Sequence, residues 1–240
     1  MKKNGKNVAV RTDTLKQNGT LVVGGKGRGF ETESGREDLL IPRVKLLQPL
    51  SPEVDELDMK AGQIINSLTK APLPTEFVPV FVFKEYLRFN ARDEKSEGFD
   101  DKFAPGALMW KTSDPNAPEV EQTKFGPNGE RPLGQQVLNF FSYFPGTQMP
   151  IIVSFAKTSY KTGKQLYSLT KFCGGDMFSR KYTLSAKKET NDSGTYWVLQ
   201  VSPAGIAVPE DFKIAEGLWE QFSSKAQALN VHEEAAAETV

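Results

Sequence analysis

Lys84, Tyr86 and Arg88 occupy alternate positions in one run, Glu76 to Phe89, that is dense in β-branched and aromatic residues. Alternate side chains of a strand project from one face, so this spacing sets a tyrosine between two cations. Such a face can pair phosphates while the ring stacks on a base. The intervening Phe77, Phe81, Phe83, Leu87 and Phe89 would then point to a core. A solvated strand face with one incidental aromatic is the plainer account of the same three residues.

Other chemistry finds few residues to carry it. The single histidine, His232, lies near the C-terminus, which leaves Ser-His-Asp and Cys-His mechanisms, an imidazole base and a His-ligated metal without a member. Cys173 is the only cysteine, so an intramolecular disulfide and a cysteine-based zinc site are excluded. It is expected as a buried small hydrophobe just before Gly174-Gly175. Asp93-Glu94 and Asp100-Asp101 read as solvated surface charge, and the glycine-rich run Gly24 to Gly29 lacks the Ser or Thr that a phosphate-binding loop needs after its lysine. The sequence is read as non-enzymatic, with no catalytic residue, cofactor or metal.

The elements that must position Tyr86 and its neighbours follow from periodicity and turns. Gln136 to Phe144 and Pro150 to Lys157 read as a hairpin across Pro145-Gly146. A helix opens near Ser159, with Leu166, Leu169, Phe172 and Cys173 at helical spacing, and stops at Gly174-Gly175. Met177 to Glu189 and Tyr196 to Val201 read as two further strands facing across Asn191-Asp192-Ser193-Gly194. With the run 76–89 in front, the order is β-β-β-α-β-β. That order predicts a mainly β (α+β) chain: an OB-fold-like five-stranded Greek-key barrel with a helix between strands 3 and 4 and a C-terminal helix.

In this barrel Phe81, Phe83, Phe140, Phe155, Trp197 and Leu199 are the expected core. If Leu138, Phe140 and Phe144 face inward, Phe141 and Tyr143 join Lys84, Tyr86 and Arg88 on the outer face, together with Lys181 and Tyr196. Lys157, Lys161, Lys164 and Lys187 complete the candidate nucleic-acid-binding set. A one-residue slip would exchange the two faces.

Around this domain, read as 37–205, lie a flexible basic arm at 1–36, a long polar insertion at 90–135, a C-terminal helix at 206–229 and an acidic tail at 230–240. Two short ordered pieces are expected outside the five strands, at Gln63 to Thr69 and at Leu108-Met109-Trp110. Formal charge is zero, with 30 basic and 30 acidic residues, but it is segregated. Eight basic residues meet three acidic ones in 1–36, eight meet two in 140–190, and two meet seven in 209–240. Basic segments beside an acidic end suit a nucleic-acid binder that screens its own site. No apolar run approaches the roughly 18 residues that cross a bilayer, and a soluble protein in a reducing compartment is expected.

Three segments carry a resemblance. Leu40 to Val54, the strand Phe77-Val78-Pro79-Val80, and Val153 to Lys164 resemble phage-encoded single-stranded DNA-binding proteins with an OB core, over roughly Leu40 to Val201. The resemblance implies a protein that protects or organises single-stranded DNA in replication or recombination, without sequence preference, in the cytoplasm of an infected bacterial host. It also implies replication or recombination partners met through the acidic C-terminus, and it accommodates a homo-oligomer. Glu238-Thr239-Val240 departs from the Pro-Phe ending of the bacterial proteins of this kind, which puts a shared tail-docked partner in doubt. A structural or internal virion protein and a strand-annealing recombinase are the alternatives.

Overall fold

In the computed structural model, which describes residues 40–191 and 194–224, the aromatic run becomes one 14-residue strand within a six-stranded antiparallel sheet. In chain order the elements are β1 (Val44–Leu46), α1 (Pro52–Glu56), β2 (Ile64–Asn66), β3 (Glu76–Phe89), β4 (Leu108–Thr112), β5 (Gln135–Tyr143), β6 (Ile151–Phe155), α2 (Tyr160–Phe172), β7 (Arg180–Asn191), β8 (Gly194–Ile206) and α3 (Pro209–Phe222). The N-terminal arm, the glycine-rich run, His232, the end of the expected C-terminal helix, the acidic tail and residues 192–193 of the expected turn lie outside the described residues. Among those described, no helix is long and apolar enough to cross a membrane.

The sheet runs β6-β5-β3-β7-β8, with β4 paired to the far end of β3. The protein is mainly β, as expected, with the helix α2 between the third and fourth of the five strands on this path and α3 at the C-terminal side. The barrel expectation is corrected to an open sheet, because β6 and β8 do not pair with each other. Other groups occupy their edges. Pro42 accepts the Ile152 amide at 2.9 Å, and the Gln48 side-chain amide both donates to and accepts from the Trp197 backbone at 2.9 Å. An amide side chain thus satisfies β8 where a neighbouring strand would otherwise do so.

Both faces of the sheet are buried over its centre, while the outer end of the β7–β8 hairpin is exposed. On one, Phe77, Phe140, Phe155, Tyr182, Leu184, Leu199 and Val201 pack around Leu166 of α2, with Val44, Leu46 and Ile64 against them. On the other, Val78, Val80, Phe81, Phe141, Tyr143 and Ile152 pack beneath Ala215, Leu218 and Phe222 of α3. This second face also holds Asn139, fully buried, which donates to Glu85 and accepts from Ser154 Oγ at 2.7 Å.

The expected core is therefore split. Phe140, Phe155 and Leu199 lie on the α2 face, Phe81 on the α3 face with Phe83 packed beside it, and Trp197 is half-buried above Gly62. The cause is a bulge: Pro79 pairs with Ser142 and Phe81 with Phe141, leaving Val80 as an extra residue. Proline cannot donate to the ladder and belongs at such irregularities. Beyond the bulge, the odd residues of β3 stand on the α3 face and the even ones on the α2 face.

α2 buries Thr162, Gly163, Leu166 and Thr170, a stripe of small and branched side chains rather than large apolar ones. Phe172, expected inside, is 88% exposed because it falls off this stripe, and Cys173, past the last turn, is also exposed rather than buried. Gly163 makes the close approach of α2 possible: a Cβ there would stand 2.6 Å from Phe155 Cβ. Alanine normally favours a helix by about 1 kcal/mol over glycine. Here that gain is outweighed by overpacking of about 1–3 kcal/mol against an atom that cannot swing away. Gly163→Ala should lower the urea midpoint, and an unchanged or higher midpoint would show that the helix does not sit this close.

Candidate functional site

The last residues of β3 run beyond the main sheet and hold the insertion that follows. Arg88 donates through Nη1 to Gln122 Oε1 at 2.8 Å and through Nη2 to the Gly98 carbonyl at 2.6 Å. Asn90, buried, donates to the carbonyls of Asp100 and Phe103, both at 2.8 Å, and accepts the Asp100 amide at 2.9 Å. Trp110 of β4 donates to the same Gln122 oxygen at 3.3 Å, and Gly134 closes the base on the Gln122 carbonyl at 2.9 Å. A long insertion of polar composition is thus pinned into one shape by two side chains at the end of β3.

Between this insertion and the turn that joins β6 to α2 lies a cleft of about 1280 Å³. That exceeds the roughly 300–1,000 Å³ of small-molecule pockets. Its lining carries five cationic side chains, Arg88, Arg92, Lys124, Arg131 and Lys157, against two carboxylates, Asp93 and Glu97. Phe89, Phe125 and Tyr160 add aromatic surface, and Phe125 is 73% exposed.

Lys157 holds a left-handed backbone, φ 46°, in the turn leading into α2. Non-glycine residues adopt that region at a cost of about 1–2 kcal/mol, so the surrounding turn imposes it. Lys157 keeps solvent-exposed surface, yet the protein around its ammonium, and second the charge of Arg92, lower its pKa below the usual lysine value. Lys124 is paired with Glu121 at 2.6 Å.

Residues 17–228 match the family described as Pam3 phage gp34-like protein. The chain belongs to that family. No curated protein and no solved structure matches it.

In this gp34-like chain the residues expected to form one exposed surface are dispersed. Arg88 and Lys157 reach the cleft, Arg88 with its guanidinium tied to the insertion. Lys161 and Lys164 are exposed on the first turns of α2, and Lys164 lies over the Tyr160 ring at 5.6 Å, beside the cleft. Lys84 lies over the Tyr86 ring at 4.9 Å, but Tyr86 itself is buried where β3 pairs with both β4 and β5. Phe141 and Tyr143 are buried beneath α3, where burial first, and the nearby Asp211 and Glu210, raise the Tyr143 pKa. These three rings offer no stacking surface, which corrects the expectation for them.

Lys181, Lys187 and Tyr196 lie outside the cleft. Lys181 pairs with Glu76 at 2.7 Å, Lys187 with Glu189 at 3.1 Å, and the Tyr196 hydroxyl donates to Glu189 at 3.3 Å. Sequence reasoning missed Arg92, Lys124, Phe125, Arg131 and Tyr160. The insertion holds six basic against nine acidic residues over 90–135, and that negative average hides a basic side. One local signal was present: a lone phenylalanine, Phe125, between a lysine and a glycine in a polar stretch.

Proposed function

We propose that this gp34-like protein is a phage single-stranded DNA-binding protein on an OB-like sheet, acting without sequence preference and without catalysis. Its strand order supports the reading. Counting β3, β5, β6, β7 and β8 as one to five, the neighbours run 3-2-1-4-5, the order of an OB barrel left unclosed between its third and fifth strands. The insertion then falls between strands one and two, a loop from which OB proteins bind oligonucleotides.

The observation that carries the proposal is the cleft, in which cations from separate segments converge beside an exposed phenylalanine. Cations hold a backbone and aromatic rings stack on any base, which together favour single strands without a sequence code. An anisotropy titration with a labelled single-stranded oligonucleotide, and with a duplex of the same length, tests this. Single strands should bind more tightly, and three to five phosphate contacts should cost roughly 10- to 100-fold in affinity between 50 and 200 mM salt. Equal affinity for duplex at the same ionic strength would instead point to a protein that neutralises packaged DNA, and no binding at low salt would end the proposal.

A further inference from the structure

We infer that the exposed side of α2 continues the cleft as a second holding surface, where Lys161, Lys164 and Lys171 meet phosphates of the same single strand and Tyr167 and Phe172 stack on its bases. The inference rests on the single-strand reading above and adds where a strand too long for the cleft goes next.

α2 starts at the cleft wall, which its first residue, Tyr160, lines. The Tyr160 hydroxyl donates to Gln136, another lining residue, at 3.1 Å, and Lys164 lies over the ring at 5.6 Å, so ring and cation are presented together. The spacing then repeats. Tyr167 and Lys171 are again four residues apart, close enough to be neighbours on a helix surface, and they follow the first pair by seven residues, about 10.5 Å along the axis. Lys161, Lys164 and Lys171 project away from Thr162, Gly163, Leu166 and Thr170, the stripe buried against the sheet, and Tyr167 and Phe172 border the lysine row on its two sides. All three lysines are exposed, as are Tyr167 at 43% and Phe172 at 88%.

Lysines on a solvated helix are ordinarily interleaved with carboxylates that pair with them. Here none is at hand. No Asp or Glu occurs between Glu130 and Asp176. Among the described residues no carboxylate pairs with Lys161, Lys164 or Lys171, whereas Lys45, Lys70, Lys124, Lys181 and Lys187 each meet one. Uncompensated cations beside exposed rings suit a polyanion that also offers π-faces, which a single strand does along its length. An anionic lipid surface suits them less, because the apolar side that an interfacial helix inserts is already buried here at Leu166.

Strand length separates this face from the cleft. Full-length wild type, Lys171→Gln, Phe172→Ala and a control on the opposite side of the sheet, the exposed Lys213→Gln of α3, are titrated with oligo-dT strands of about 4 to about 30 nucleotides, a range that brackets the site size of an OB fold. Each length is run over a salt series, and thermal melts establish folding. Lys171→Gln should match wild type on the shortest strands that bind and fall behind on long ones, where its log-log salt slope is shallower by about 0.7 for one phosphate. Phe172→Ala should lose about 5- to 150-fold on long strands, the range for one stacked base, with the salt slope unchanged. Lys213→Gln should follow wild type at every length. Wild type that binds no strand of any length removes the single-strand reading itself. Wild type that binds, with folded Lys171→Gln and Phe172→Ala matching it at every length, keeps that reading and takes α2 out of the strand's path. A loss that Lys213→Gln reproduces does the same, since net charge then accounts for it. Phosphatidylserine vesicles that capture wild type but not Lys171→Gln, with long-strand affinity equal in the two, would give this face to a lipid surface instead.

Discussion

Phe141→Ala is expected to cost about 3–5 kcal/mol of stability, the usual loss for a deleted buried aromatic, and to leave the oligonucleotide affinity of the folded protein unchanged. Phe141 sits on β5, which pairs with β3 on one side and β6 on the other, and is fully buried. Its ring stacks on Phe81 at 4.7 Å with planes 11° apart, and Phe222 of α3 closes over it at 5.3 Å. Removing the ring leaves a void at the seam between sheet and helix, where backbone on both sides is held by other contacts and collapse is limited. Amide exchange should therefore accelerate first in α3. Urea melts with exchange by mass spectrometry measure both effects. A Phe141→Ala protein that melts like wild type but loses DNA binding would put this ring on the surface and reverse the face assignment of β5.

That mutation also marks where the sequence stops being informative. The strand at 76–89, the hairpin after it, the helix between the third and fourth strands and the final hairpin are legible because each is bounded by Pro or Gly and has its own period. The side on which each residue falls is not legible in the centre of the sheet. Phe140-Phe141-Ser142-Tyr143-Phe144 is apolar at both phases, and an antiparallel sheet covered on both faces loses the alternation that a half-exposed one displays. Pro79 held the missing clue. Read as an ordinary strand residue it leaves Phe77, Phe81 and Phe83 on one face, whereas the bulge it accompanies moves Phe81 and Phe83 beneath α3.

The cleft was hidden for a different reason. Its cations come from Arg88, Arg92, Lys124, Arg131 and Lys157, which only the folded insertion brings together. Net charge of a segment is a sum along the chain, whereas a site depends on which side of the fold each charge occupies. Gly163 illustrates the same limit in packing. By propensity it weakens a helix, and only the distance to Phe155 makes it the residue that the position requires.

Glu53→Gln is expected to lower stability on the order of 3 kcal/mol at neutral pH, with the difference from wild type vanishing in acid. Glu53 lies in α1 and is buried, with its carboxylate 2.7 Å from Lys45 Nζ and 2.9 Å from Lys70 Nζ. Burial alone would raise its pKa. Hydrogen bonds from the Lys45 and Lys70 ammonium groups, with a further backbone bond and the Lys45 charge, outweigh burial and lower it from 4.5 to about 2. The unfolded chain therefore takes up the proton at higher pH than the folded one, and protonation favours unfolding. The stabilisation is fully present above pH 4.5 or so and is lost as pH falls toward 2. Glutamine keeps the shape but not the charge, leaving Lys45, itself largely buried, beside a neutral amide. Urea melts of both proteins between pH 7 and pH 2.5 measure the gap, and comparing the two cancels titrations that they share. A gap that stays constant across that range would mean that Glu53 acts through packing rather than charge, and equal stability at pH 7 would mean that the two lysines contribute nothing net.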